Sequence, residues 1–233
     1  CPAASAALSY GPGGGWLVVS RPRGLLRRLT MTGATIRALL NTRLNKSEAV
    51  NAVNASITLA LQDIAGRALW PDLHKTDSTT LAFTVGLKSK ALPSDFRVKD
   101  RLYRLDDSTL DEADPDTLRA YQEVANAVKG EPTEYAIIGG NVYLNPIPDA
   151  SYTIRLDYWY TPAAVTDETA TLVLGDEFQE AVICGTIVAY LKATGFTEHP
   201  KLAENLAMLD REIAKLSGLA DWKPTIANPF NYA

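Results

Sequence analysis

The chain has 233 residues, 46% of them hydrophobic and 21% charged, enough apolar material for a sizeable core and too much for a chain disordered throughout. A net charge of -4 and a pI near 5.3 exclude a nucleic-acid binder held by a general basic excess. Two cysteines, Cys1 and Cys184, make no disulfide framework, and no metal-ligand spacing joins them to the two histidines.

Residues 1–30 differ from the rest. They hold four arginines (Arg21, Arg23, Arg27, Arg28) and no acid, so from Met31 onward 19 basic residues face 27 acidic ones, a net of -8. The apolar run Trp16–Val19 precedes the arginines and is too short, the reverse of a secretory signal. One reading is a basic arm that grips a phosphate backbone. The other takes Arg27-Arg28 as codons of a purine-rich ribosome-binding site and Met31 as the start. On it, 1–30 is a non-native or disordered upstream extension that stays out of the fold.

From Met31 the chain reads helix, helix, a strand-rich middle, helix, helix. Thr32 caps a first helix with Ile36, Leu39, Leu40 and Leu44 on one face. Asn45 and Glu48 form the pattern of a capping box opening a second. Its stripe is Val50, Val53, Ile57, Leu61, Ile64 and Ala68, and Trp70-Pro71 ends it. Leu81, Phe83, Val85 and Leu87 alternate as a strand, and a second strand runs through Arg101–Leu105. After the acidic loop 106–116, Leu118, Tyr121, Val124, Ala125 and Val128 predict a short helix. Tyr135–Ile138, Gly139-Gly140 and Asn141–Leu144 predict a tight hairpin, and Tyr152–Tyr160 a long strand. Asp176 with Gln179 caps a helix whose stretch Ala181–Leu191 is nearly all apolar. That stretch is too short for a bilayer, which needs roughly 20 residues, so it reads as a buried helix. Gly195 ends it. His199-Pro200 opens the last helix, with Leu202, Leu206, Leu209, Ile213 and Leu216 as a heptad-like seam closed by Gly218. The expected fold is α+β. A helical bundle (31–75 and 170–220) surrounds a central antiparallel β module (76–169), and a tail follows at 221–233.

Catalytic signatures are missing. The sequence holds no phosphate-binding loop, zinc-protease motif, nucleophile elbow or CxxC pair. Cys184 sits in an apolar helix and reads as inert core, and His199 as a helix cap. The acids Asp106, Asp107, Asp111, Glu112, Asp114 and Asp116 admit a calcium reading or a solvated, helix-capping loop, although the EF-hand pattern fails. No cofactor is implied. Lys88, Lys90, Arg97, Lys99, Arg101 and Arg104, interrupted by Asp95 and Asp100, read either as an exposed loop and strand face or as a positive rim facing phosphate.

The stretch Gly130-Glu131-Pro132, Tyr135-Ala136-Ile137, a glycine turn, Val142–Pro146, Pro148, Tyr152–Tyr158 and Thr161-Pro162 resembles the central β module of tailed-bacteriophage head-to-tail adaptors, and the flanking helix pairs agree in layout. The resemblance implies a structural, non-enzymatic virion protein at the neck, assembled in the bacterial host cytoplasm. It implies a ring of twelve copies beneath the portal protein that presents its far face to a tail or nozzle protein. Double-stranded DNA passes through without sequence-specific contact, and no membrane is involved. The family's portal-docking C-terminal region carries over only to the tail, at Trp222, Lys223, Pro224, Phe230 and Tyr232. Channel-facing candidates are Lys88, Lys90, Arg97, Lys99 and Arg101. Two other classes stay open: a tail-completion or terminator ring, and a monomeric carbohydrate- or peptide-binding module using Tyr152, Tyr158, Trp159 and Tyr160 as a stacking face.

Overall fold

The computed structural model describes residues 31–106, 108–123 and 128–219. The 1–30 extension, Asp107, the helix residues Val124 and Ala125, and the docking tail 221–233 with its five named residues lie outside the described residues. In chain order the elements are α1 (Gly33–Leu44), α2 (Val50–Arg67), β1 (His74–Asp77), β2 (Ala82–Phe83), β3 (Ser89–Ala91), β4 (Phe96–Arg104), β5 (Asp111–Glu112) and α3 (Pro115–Glu123). Then follow β6 (Lys129–Gly130), β7 (Glu134–Ile138), β8 (Asn141–Asn145), β9 (Ile147–Pro148), β10 (Tyr152–Tyr160), α4 (Gln179–Ala193) and α5 (Pro200–Leu219). The protein is an α+β fold.

The helices assemble around α4, which is buried on nearly every side from Ala181 to Leu191. An apolar stretch of that density needs partners all round, and α1, α2 and α5 supply them. Thr32 caps α1 as expected, its Oγ1 accepting from Thr35 N at 3.3 Å. Asn45 does not open α2. It closes α1 in the left-handed conformation (φ 52°), which asparagine tolerates well. α2 starts five residues later, behind Ala49 and without a side-chain cap. Its stripe Val53, Ile57, Leu61 and Ile64 is fully buried.

The capping pair expected at Asp176 and Gln179 is also not made. Asp176–Phe178 form a 3-10 turn ahead of α4, and the Gly175 N–H goes instead to Asp72 Oδ2, at 3.0 Å. His199 does cap α5, its Nδ1 accepting from Lys201 N at 3.2 Å. α5 continues through Gly218 to Leu219. In its seam Leu209 and Leu216 are buried, whereas Leu206 is 37% exposed.

In the β module, β10 is the central strand. β1 and then β2 pair along one edge of it, and β4 along the other, all antiparallel. Ile154, Leu156 and Tyr158 of β10 point inward at the period of two. The second sheet runs β3-β8-β7-β5, and β6 pairs with β9. The short β5–β7 and β6–β9 pairs are parallel, so the module is antiparallel only in its main ladders. The hairpin of β7 and β8 turns on Gly139 (φ 56°) and Gly140 (φ 77°), the two positive angles that a two-residue loop of this twist demands.

Three expectations shift. The strand over Leu81–Leu87 stops at Phe83, because Leu87 N bonds back to Thr84 O at 3.0 Å in a turn, which leaves Val85 and Leu87 exposed. β4 begins at Phe96, five residues ahead of Arg101, and follows β10 through two irregularities in register. In α3, Leu118 is buried as expected, but Tyr121 is exposed, as is Val128 past the end of the helix. Gln122 takes the inward place, Nε2 donating to Leu144 O at 2.7 Å.

Two clusters of buried residues result, one in the bundle and one between the sheets. They meet at the end of β10, where Tyr160 packs against both.

Candidate functional site

Polar side chains of β1, β10 and the Asp95–Asp100 stretch bond one another beside the junction of the two cores. β1 leaves the end of α2 through the 3-10 turn Pro71–Leu73, which carries His74 and Lys75 onto the sheet. His74 Nε2 lies 3.1 Å from Asp100 Oδ2, and its ring meets Trp159 edge-on at 4.8 Å. Lys75 Nζ donates to Asp95 Oδ2 at 2.6 Å and stands over the rings of Tyr158 (5.2 Å) and Tyr160 (4.8 Å). Tyr158 donates its hydroxyl to Asp95 Oδ1 at 2.8 Å.

Burial pushes the Tyr158 phenol up, to about 12, with the Asp95 charge adding to it against Lys75. Burial alone would raise the Asp95 pKa, but bonds from Lys75 and Tyr158 hold it low. Lys75 is raised, its bond to Asp95 outweighing burial. Lys75, Asp95 and Tyr158 are thus pushed away from neutral pH, the opposite of what proton transfer requires. The cluster is a clamp.

The basic candidates divide among separate tasks. Lys88 Nζ donates to Gln122 O, and Lys90 Nζ to Ala82 O at 2.8 Å. Arg97 reaches across to the bundle, its two Nη atoms donating to Ala68 O and Gly66 O, each at 3.1 Å. Lys99 bonds Glu112 and the Tyr135 hydroxyl and lies over the Tyr135 ring. Arg101 is exposed. Arg104 pairs with Asp106 and Glu131.

The acidic stretch likewise resolves into local bonds. Asp106 accepts from Ser108 and Arg104, and Asp114 caps α3 through Thr117 N at 2.9 Å. Asp111 and Glu112 form β5. Among the described residues no group of three or more His, Cys, Asp or Glu is placed to hold a metal ion. Cys184 is fully buried, 3.6 Å from both Arg43 and Glu180. Burial pushes its thiol up to about 11, Glu180 adding to the shift and Arg43 opposing it, so it stays a core thiol.

The chain matches the family model described as SU10 adaptor protein over residues 31–229. It belongs to that family. The protein is therefore a phage head-to-tail adaptor, as the β module suggested. No curated protein matches it. The match takes in both clusters of buried residues.

The adaptor's aromatic row is packed. Tyr158 is buried, while Trp159 and Tyr160 lie partly buried against the bundle core. A stacking face for a sugar or peptide needs open rings, and Tyr158 cannot offer one. Sequence reading missed β1 and with it the clamp, because His74-Lys75-Thr76-Asp77 carries no apolar alternation. It also missed Arg97 as a helix cap, since the partner carbonyls lie about thirty positions away. Among the described residues no helix is long and apolar enough to cross a membrane.

Proposed function

We propose that the adaptor works by assembly, as a ring seated under the portal protein in the virion neck, with twelve copies enclosing the passage for the genome. The observation that carries this reading is the family match over 31–229. In this reading the bundle packs neighbouring copies, and the β module extends the channel towards a tail or nozzle protein. The tail residues Trp222, Lys223, Pro224, Phe230 and Tyr232 engage the portal, ordering as they fill pockets. No reaction, cofactor or membrane is needed, and assembly belongs to the host cytoplasm.

The net charge of -8 from Met31 onward suits a lumen that should not grip DNA, because repulsion from phosphate keeps the duplex sliding. Of the channel candidates, Lys88, Lys90, Arg97 and Lys99 already bond groups of their own chain. Arg101 is therefore the candidate best placed to soften that repulsion.

Class averages of the source particle by electron microscopy test the proposal by counting symmetry. A twelvefold ring between portal and tail is expected. A sixfold ring would move the protein into the tail, and free monomer alone would remove the ring reading.

A further inference from the structure

Leu59 stands 52% exposed on α2 and lines two hollows. One is a trough of about 470 Å³ between α2 and α5, with Gly185, Val188 and Leu209 below and Leu206 on its far lip. The other, of about 620 Å³, lies nearer the start of α2 against the stretch 164–166, and no charged residue lines it. Its apolar walls are Ala55, Leu59, Ala164 and Val165. The Thr58 hydroxyl there is taken, accepting from Val165 N and donating to Asn54 O, each at 2.9 Å. Asn54 itself is 5% exposed, and its Oδ1 has no hydrogen-bond partner. A buried amide oxygen in that state is a cost to the free subunit. The broad χ2 well of asparagine lets the amide turn towards a donor arriving through the hollow.

The opposite shape stands on the β module. Residues 84–87 form a turn in which Leu87 N bonds Thr84 O at 3.0 Å and Gly86 takes φ 75°, the type II pattern. Gly86 N bonds Pro148 O at 2.8 Å, which pins the turn to β9. Val85 and Leu87 project from it, 60% and 36% exposed, and among the described residues Val85 N bonds no other group. This is an uncharged apolar knob with a free donor, already fixed in shape, so docking it costs little conformational freedom. Knob and hollow match: apolar surface meets apolar surface, and an unpaired donor meets an unpaired acceptor.

We propose that the 84–87 knob of one subunit seats in the Asn54 hollow of the next, with Val85 N donating to Asn54 Oδ1 and the Val85 side chain against Ala55 and Val165. The two faces are unlike and lie in different parts of the chain. The contact therefore runs head to tail from copy to copy, the kind that closes a ring. The choice of a second copy as the occupant rests on the ring reading; the unpaired groups do not.

Disulfide trapping tests the contact in the source particle, built with the full-length chain carrying Cys1→Ser, Ala55→Cys and Val85→Cys. Ala55 and Val85 are both exposed, so the substitutions leave the fold intact. Oxidation should give a ladder of disulfide-linked multimers beyond the dimer, and neither cysteine substitution alone should give one. Moving the second thiol from Ala55 to Ala214, exposed on α5, should cut the multimer yield at least about tenfold. Adding Asn54→Leu to the original pair should slow the ladder at least about threefold. Monomers only, dimers only, an equal ladder from Ala214→Cys, or a rate unchanged by Asn54→Leu would overturn the proposal. Ring symmetry counted in the same particles separates the two readings. A twelvefold ring without the ladder removes the contact alone, and the ladder without a twelvefold ring upholds the contact and removes that ring.

Discussion

Arg97 Nη1 donates to the carbonyl oxygen of Ala68 at 3.1 Å, and Nη2 of the same guanidinium reaches Gly66 O at the same distance. A strand of the β module thereby caps the C-terminus of a bundle helix. The last carbonyls of a helix lack intrahelical partners and carry the negative end of its dipole, so a cation there satisfies both needs. Burial lowers the Arg97 pKa, yet a guanidinium remains charged at any pH at which the protein folds. Arg97 thus bonds the β module to the bundle, while the Lys75–Asp95–Tyr158 clamp ties β1 to β10 within the module.

Arg97→Met should therefore cost about 2 kcal/mol, since hydrogen bonds from charged groups contribute roughly 1.5–3 kcal/mol and the aliphatic stem is kept. Arg97→Lys, with one compact ammonium in place of a fork, should recover about half of that. Urea midpoints of the three proteins provide the check. Equal midpoints would show that the contact carries no energy.

Gly185 and Ala60 set how closely α4 and α2 approach. A Cβ built on Gly185 would stand 3.0 Å from the Ala60 Cβ, too close without movement. Gly185→Val should overpack the interface by about 1–3 kcal/mol. Gly66, at the other end of α2, has nothing within 4 Å of such a Cβ, so Gly66→Ala should gain up to about 1 kcal/mol of helix propensity. Opposite shifts in thermal midpoint are expected, and a stabilising Gly185→Val would contradict the packing.

Where periodicity was strong, the sequence was legible. The stripe of α2 and the inward row of β10 follow from residue spacing, the buried helix α4 from an unbroken apolar run, and the hairpin from its Gly139-Gly140 turn. Errors fell where one residue serves two local geometries. Asn45 fits a helix start as well as a helix stop, and only the left-handed backbone decides between them. Val85 and Leu87 keep strand spacing within a turn, Thr84 to Leu87, that withdraws them from the sheet. The clamp at Lys75 and the Arg97 cap were illegible, since both depend on contacts between residues 20 or more positions apart. The trough beside Leu59 is a gap between helices, which no single stripe reveals.

The α5 seam divides by burial. Leu209 is 1% exposed and packs over Gly185, whereas Leu206 stands on the lip of the trough. Leu209→Ala should cost about 2–5 kcal/mol, and Leu206→Ala well under that. Leu209→Asp should not fold, while Leu206→Asp should keep its helical circular dichroism. A Leu206→Asp chain that unfolds would mean that the lip is part of the core.

Asp77 supplies the pH dependence most open to measurement. Its Oδ1 accepts from Thr79 N at 2.7 Å, Thr80 N at 3.0 Å and Thr79 Oγ1 at 3.0 Å, and its Oδ2 from Thr80 Oγ1 at 2.5 Å. Burial alone would raise its pKa, but these bonds, led by Thr80, hold the carboxyl at about 2 against an ordinary 3.8. The folded value is the depressed one. The stabilisation is therefore complete above about pH 4 and is lost as the pH falls towards 2. The turn that Asp77 organises joins β1 to β2, so it sets the spacing with which both meet the same edge of β10. Asp77→Asn should lower stability at pH 7, because its amide nitrogen cannot accept the Thr80 hydroxyl proton. Asp106, also held at about 2, adds its own acid dependence to both proteins, so the informative quantity is the difference between wild type and variant. That difference, from urea unfolding at pH 7, 4 and 2.5, should shrink across the lower window. A constant difference at all three would show that the Asp77 charge plays no part in holding the turn.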